Sequence, residues 1–328
     1  MADTHKRSES DVNDKAFMVH VIQAFISFAI LLLVFYATHA SAIETVHYSD
    51  KKVSLLPLLE FVSERNGETL DEILVRPESD WHHRDSISNN LGQTDNALWA
   101  RVRLSGITES FSQPIIRLNY PHHDYVDFYL FEHGRMIRHF EAGDQRPFDI
   151  RPIDERTFWF PLDAATAEEQ EVYIRILTPG PLLIPLDLIN YDEAIEEEKL
   201  IFFWAGSFLG IIFIMVLYNL FLYLSLREAS YLLYIIYLAC AGFMQATLFG
   251  LGQQYFWGDM PGVNNQVIAF LAPFVQLTAM AFVLRFVDLQ KFGSIFDRSI
   301  AYLLMFSLIV MCLASFTVPY GIIVKLGH

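Results

Sequence analysis

Two kinds of hydrophobic pattern divide this chain. Between Ile43 and Lys199, short stretches alternate apolar and polar residues at the two-residue period of a half-buried strand. From Leu200 onward the apolar residues merge into long blocks with few charges. A soluble globule interleaves its apolar residues at strand or helix period. Blocks of about 20 residues are what a hydrocarbon core imposes. The pattern therefore predicts an exported β-rich domain, residues 43–195, followed by a helical membrane domain, residues 196–328.

Within the first region, residues 98–104 set Leu98, Ala100, Val102 and Leu104 on one face and Trp99, Arg101 and Arg103 on the other. Further strands are predicted near 53–61, 114–120, 125–132, 135–140, 156–162, 171–178 and 183–190, with a short helix at 69–74. Glu132-His133-Gly134 and Thr178-Pro179-Gly180-Pro181 carry turn chemistry between them. Many short strands with few helices predict an all-β jelly roll or sandwich.

The second region reads as four spans, about 201–224, 231–250, 265–286 and 299–318, entered through Glu196-Glu197-Glu198-Lys199. Arg227 lies between the first two, residues 251–264 hold no Lys or Arg, and Arg285 at the end of the third span is followed by Lys291 and Arg298 before the fourth. Positive residues favour the cytoplasmic side, so the first and third connections are inside and the second is outside. That orientation agrees with an exported domain ahead of the first span. Tyrosines and Trp257 gather towards the span ends, as interfacial aromatics do. Gly206 and Gly210 have a spacing that allows close helix contact, and Asn219 and Gln245 are expected to bond to other helices.

At the N-terminus, residues 1–42 hold a polar start and an apolar run from Ala16 to Ala37. Ala40-Ser41-Ala42 comes next, the small-x-small pattern of a signal peptidase site. The segment is a cleaved signal peptide or a retained anchor, and the position of the small residues favours cleavage. Either way, the domain that begins at Ile43 is exported. The organisation looks bacterial, and the expectation is then an inner-membrane, multi-pass protein with its N-terminal domain in the periplasm. Ile322-Ile323-Val324-Lys325 looks like the start of a further span, so the chain reads as a truncated protein or a fragment.

Composition removes several functions. A formal net charge of −15 argues against a nucleic-acid partner. The acidic residues in 64–80, 141–171 and 187–198 read as solvated surface. Both cysteines, Cys240 and Cys312, lie in apolar spans, so neither a disulfide nor a cysteine-held haem or zinc is expected in the exported domain. His82-His83 and His122-His123-Asp124 carry metal-ligating side chains, but neighbours in a strand point to opposite faces, and surface loops are the expectation for both. No nucleophile elbow, zincin motif or phosphate loop is present, and Gly250-Leu251-Gly252 lacks the third glycine of a nucleotide loop. The expectation is no enzyme activity, no catalytic residues, no metal and no cofactor.

One constellation suggests binding. Opposite the apolar strand faces, Trp99, Arg101, Arg103, Arg117, Tyr125, Asp127, Tyr129, Trp159, Tyr173 and Arg175 could form a polar, aromatic surface. Rings stack on the C–H faces of sugars, while Arg and Asp bond to hydroxyls, so the face suits a carbohydrate. The alternative is that Tyr and Trp follow strand propensity and the charges are cross-strand neighbours on a wet face.

Leu217-Tyr218-Asn219-Leu220-Phe221-Leu222-Tyr223-Leu224-Ser225-Leu226-Arg227, followed by Ser230-Tyr231-Leu232-Leu233-Tyr234, closely resembles the bacterial seven-transmembrane receptors with diverse intracellular signalling modules. Trp99-Ala100-Arg101-Val102, Asp127-Phe128-Tyr129-Leu130 and Pro185-Leu186 look like that family's periplasmic domain. The resemblance implies a jelly-roll domain binding carbohydrate-like ligands, seven spans, and a diguanylate cyclase or histidine kinase as output. It also implies a homodimer. The expectation is a sensor of a periplasmic small ligand that shifts the packing of its helices. A transporter or accessory subunit would show polar spans or inverted repeats. A membrane-anchored glycan-binding protein would have no downstream output module.

Overall fold

The computed structural model describes residues 52–65, 67–83, 90–94, 96–105, 111–162, 169–287 and 295–318. The N-terminal apolar segment, Ala40-Ser41-Ala42 and Ile322-Ile323-Val324-Lys325 lie outside them.

The strands are β1 (Lys52–Ser54), β2 (Glu60–Ser63), β3 (His82–His83), β4 (Leu98–Leu104), β5 (Pro114–Leu118), β6 (Tyr125–Glu132), β7 (Arg135–Ala142), β8 (Phe158–Pro161), β9 (Gln170–Leu177) and β10 (Leu186–Asn190). A short helix, α1 (Leu70–Leu74), is closed at its start by a Thr69/Glu72 capping box. All pairings are antiparallel. One sheet has the order β1-β10-β5-β8 and the other β3-β2-β4-β9-β6-β7. Setting β2 and β3 aside, successive strands cross between the sheets in the jelly-roll pattern except at the β6–β7 hairpin, β1-β10-β5-β8 facing β4-β9-β6-β7.

The alternation of the sequence builds this core. Ala100, Val102 and Leu104 of β4 meet Val126, Phe128 and Leu130 of β6, Val172, Ile174 and Ile176 of β9, and Ile116, Leu118, Phe158, Phe160, Leu186 and Leu188 from the opposite sheet. Phe128 stacks on Phe160 across the sandwich, ring centroids 4.5 Å apart. Each of these side chains larger than Ala100 contributes about 1.5–3 kcal/mol by leaving water. Between β6 and β7 the two-residue loop His133-Gly134 has φ of 51° and 70°. Positive φ at both positions is the type I′ hairpin turn, which matches strand twist.

β10 ends at Asn190 and helix α2 (Tyr191–Leu226) begins at the next residue. At 1.5 Å per residue its 36 residues measure about 54 Å, well beyond a hydrocarbon core of about 30 Å, so its first turns stand outside the bilayer. Beyond it lie α3 (Ala229–Leu248), the short α4 (Leu251–Tyr255), α5 (Val263–Phe286) and α6 (Ile295–Ala314). Among the described residues α2, α3 and α5 are long and apolar enough to cross a membrane, and α6 carries a shorter apolar stretch, Arg298–Ala314.

Two expectations for the helices change. Asn219 donates to Met215 O of its own helix at 2.8 Å rather than across to another. Among the described residues, no atom of another element lies within 4 Å of where a Cβ would sit at Gly206 or Gly210, so these residues show no close helix contact there.

Candidate functional site

The outer face of the six-stranded sheet is largely covered. α1 and Trp81 lie over it, and Val62, Ile73, Trp81, Trp99, Phe131 and Tyr173 form a second apolar cluster there. Trp99 is 1% exposed, its Nε1 donates to Glu64 at 3.1 Å, and its ring stacks on Tyr129. Arg101 lies 4.3 Å from the Trp81 ring centroid and pairs with Glu60 and Glu78. That pairing holds the Glu78 carboxyl below its usual range, first through the Arg101 hydrogen bond. Arg175 pairs with Glu64 and Asp127, Arg146 also pairs with Asp127, and Arg103 pairs with Glu78 and Glu171. Tyr125 and His139 remain exposed, and the half-buried Tyr129 stacks on His139.

The ten residues expected to share one binding face therefore do not. Eight lie on this sheet, with Trp99, Arg101, Asp127 and Tyr173 buried. Arg117 and Trp159 lie on the outer face of the other sheet, beneath the start of α2. The reason is topological: β5 and β8 pair with each other and with β10, so their outer faces point away from β4, β6 and β9. Trp159 packs against Ile115, Ile189 and Ala194, and Arg117 is fully buried with Asp187 at 3.3 Å and Glu197 at 2.5 Å.

Beside the covered face opens a cleft of about 510 Å³, lined by Val62, Ser63, Glu64, Arg65, Arg76, Asp80, His82 and Asn96. Glu64 belongs to both places, lining the cleft while Trp99 and Arg175 hold its carboxylate. Strand alternation picked out Trp99 and Arg175; Glu64, just past the end of β2, carried no comparable signal.

A second polar assembly joins the sandwich to the helices. Glu197 of α2 meets Arg117 of β5 and Lys52 of β1. Burial works to raise the Glu197 pKa, but the two cations outweigh it and hold the carboxyl low. Glu198 accepts from Arg156 Nε and Nη2 at 2.7 and 3.0 Å, with both side chains under 10% exposed. The acidic run 187–198 is thus not solvated surface throughout, because Arg117 and Arg156 draw parts of it inward.

The α3–α5 connection packs on the same domain. Arg151 donates to Gln253 Oε1 at 2.6 Å, Phe148 N to Gly258 O at 2.9 Å, and Gln254 Nε2 to Asp154 O at 3.3 Å. His122 Nε2 lies 2.9 Å from Leu248 O, and its Nδ1 lies 3.3 Å from Asn264 Nδ2. His123 is fully buried, with Nε2 2.6 Å from Leu183 O. Burial pushes both imidazoles down to about 4, so both are neutral. His122-His123 is accordingly no surface loop, and His82-His83, though exposed, is no loop either but strand β3 paired with β2. Asn264 and Asn265, at the start of α5, donate to Asp144 and Asp124. An Asn-Asn pair opening an apolar helix is a legible oddity, but its partners lie more than a hundred residues away.

The family model for 7TMR-DISM extracellular 2 matches residues 59–190, and that for 7TM diverse intracellular signalling matches residues 201–328. The chain belongs to the 7TMR-DISM receptors. Membership makes it a membrane receptor with an extracellular sensor domain, here the sandwich, and a seven-transmembrane signalling domain, to which α2 to α6 belong. A beta-glucuronidase of Faecalibacterium prausnitzii is similar at 13% identity and a TM-score of 0.28, over 39% of this chain and 22% of that enzyme. A likeness at that score carries no argument about this 7TMR-DISM chain. No curated protein matches it.

Proposed function

We propose that this receptor binds a small, carbohydrate-like ligand in the periplasm at the cleft beside β2. It relays binding through helix packing to a cytoplasmic diguanylate cyclase or histidine kinase module. The chain acts as a binding and relay element of the inner membrane, not as an enzyme.

The observation that carries the relay is the direct passage of β10 into α2, with no residue between them. A change in sheet twist thereby rotates or translates the first span, and Glu197 and Glu198 prevent α2 from swinging independently. A ligand can drive this only through a difference in affinity for two helix arrangements. The cleft supports the ligand class: Arg65, Asp80, His82 and Asn96 offer closely spaced donors and acceptors suited to hydroxyl groups, over a floor in which Glu64 and Arg76 are held by Arg175 and Glu68.

The test is thermal unfolding of the full chain in detergent against mono- and oligosaccharides. A ligand at about 100 times its dissociation constant adds about 2.7 kcal/mol, a shift of several degrees. An Arg65→Ala/Asn96→Ala variant, altered only at exposed positions, should keep its melting temperature and lose the response. No shift with any sugar, in a chain that unfolds cooperatively, would overturn the ligand class.

A further inference from the structure

We propose that Asp124 and Asp144 form a proton-binding pair at the sandwich–helix junction, so that external pH sets how tightly the sensor domain grips α5. This rests on the junction acting as the receptor's relay.

The two carboxylates come from adjacent turns of the sandwich, tied together by Asp144 N to His123 O at 2.8 Å and Gln145 N to Asp124 O at 3.1 Å. Asp144 is 1% exposed and Asp124 7%. Asn264 Nδ2 donates to Asp144 Oδ2 at 3.0 Å and Asn265 Nδ2 to Asp124 Oδ2 at 3.3 Å, while Thr178 Oγ1 donates to Asp124 Oδ1 at 3.1 Å. These donors, and the Gln145 side chain that also bonds to Asp144, are all neutral. Among the described residues, Asp144 Oδ1 is buried without a hydrogen-bond partner, and so is Asn264 Oδ1.

The charged neighbours leave the pair under-compensated. The Arg151 guanidinium faces Asp144 as a charge, but makes no hydrogen bond to it: Nη1 is committed to Glu155 O and Arg156 O, Nη2 to Gln253, and the buried Nε has no partner among the described residues. Arg156 is taken by Glu198. His122 and His123 are neutral, with Nε2 of each turned to a backbone carbonyl. Two buried carboxylates meet one cation, Arg151, and otherwise neutral donors, so the pair is short of one positive charge, and Asp144 Oδ1 is short of a donor. A proton on Asp144 supplies both, because Oδ1 then donates and only one negative charge remains.

Burial, then the charge of Asp124, pushes the Asp144 carboxyl up to about 8; burial likewise raises Asp124. The folded-state value thus lies above the unfolded one. Its contribution is full below the unfolded carboxylate range and is lost as pH rises through about 8. Alkaline conditions leave both groups charged and loosen the sandwich from Asn264 and Asn265.

The test uses the full chain in detergent without any ligand. Between about pH 6 and 8, one linked proton lowers the folding constant by close to tenfold per pH unit. Asp144→Asn mimics the protonated acid in shape, so it should fold and should lack that part of the slope. Spin labels at the exposed positions Val75 and Tyr255 read the junction directly. Their distance distribution should broaden above about pH 8 in the parent chain and not in Asp144→Asn. Equal slopes and equal distributions in the two proteins would overturn the proposal. EDTA reproducing the alkaline loosening at pH 6 would also overturn it, because a cation would then neutralise the pair. If the slope difference holds while no sugar stabilises the chain, the ligand reading fails and the proton pair stands.

Discussion

The Arg156–Glu198 pair makes the junction quantitatively testable. Arg156 sits just ahead of β8 and Glu198 two turns into α2, and both their side chains are under 10% exposed. The geometry is bidentate, at 2.7 and 3.0 Å, and Arg156 Nη1 also reaches Phe249 O at 3.4 Å. Removing one member of such a buried pair strands the other without water or counter-ion and costs about 3–5 kcal/mol. At about 2–4 °C per kcal/mol this lowers the melting temperature by about 6–20 °C. Glu198→Gln and Arg156→Met should each show a loss of that size in thermal unfolding of the full chain. The double variant removes both charges and should recover to within about 1–2 kcal/mol of the parent, leaving a coupling energy of several kcal/mol in the cycle. A loss below about 1 kcal/mol for Glu198→Gln is the behaviour of a surface pair. It would refute both the burial of this contact and its use as a clamp on the first span.

Trp99→Ala should cost about 3–5 kcal/mol in unfolding experiments, as a core truncation does, whether or not sugar is present. Gly250→Ala should destabilise the chain by more than about 1 kcal/mol, because φ is +85° there and the new Cβ would lie 2.9 Å from Pro121. His123, held down to about 4 by burial, contributes stability that is present above about 6.5 and lost as pH falls through about 4. His123→Gln should remove that acid limb, by up to about tenfold in folding constant per pH unit, in melts between those limits.

The strands and helices were legible because each reports on its own surroundings. Alternation over 98–104 and 125–132 follows from one wet and one dry face, and the long apolar blocks follow from lipid. His133-Gly134 announces its turn because both residues must adopt positive φ. The binding face was harder to read. Period-two alternation says that Trp99 and Trp159 point away from the core, but not which sheet each belongs to or what covers it. α1 and Trp81 cover the first, and the start of α2 covers the second.

From the sequence alone came the order of a β domain and membrane helices, and the side of the bilayer on which residues 251–264 lie. Each is set by local hydrophobicity or charge bias, which act over one element at a time. Only the tertiary structure brought His122, Asp124 and Asp144 against Asn264 and Asn265, or Arg117 and Arg156 against Glu197 and Glu198. These groups are far apart along the chain, and each is an ordinary polar residue by itself. Their chemistry arises when folding removes the water between them, since burial is what makes a carboxylate hold a proton or an arginine require its partner.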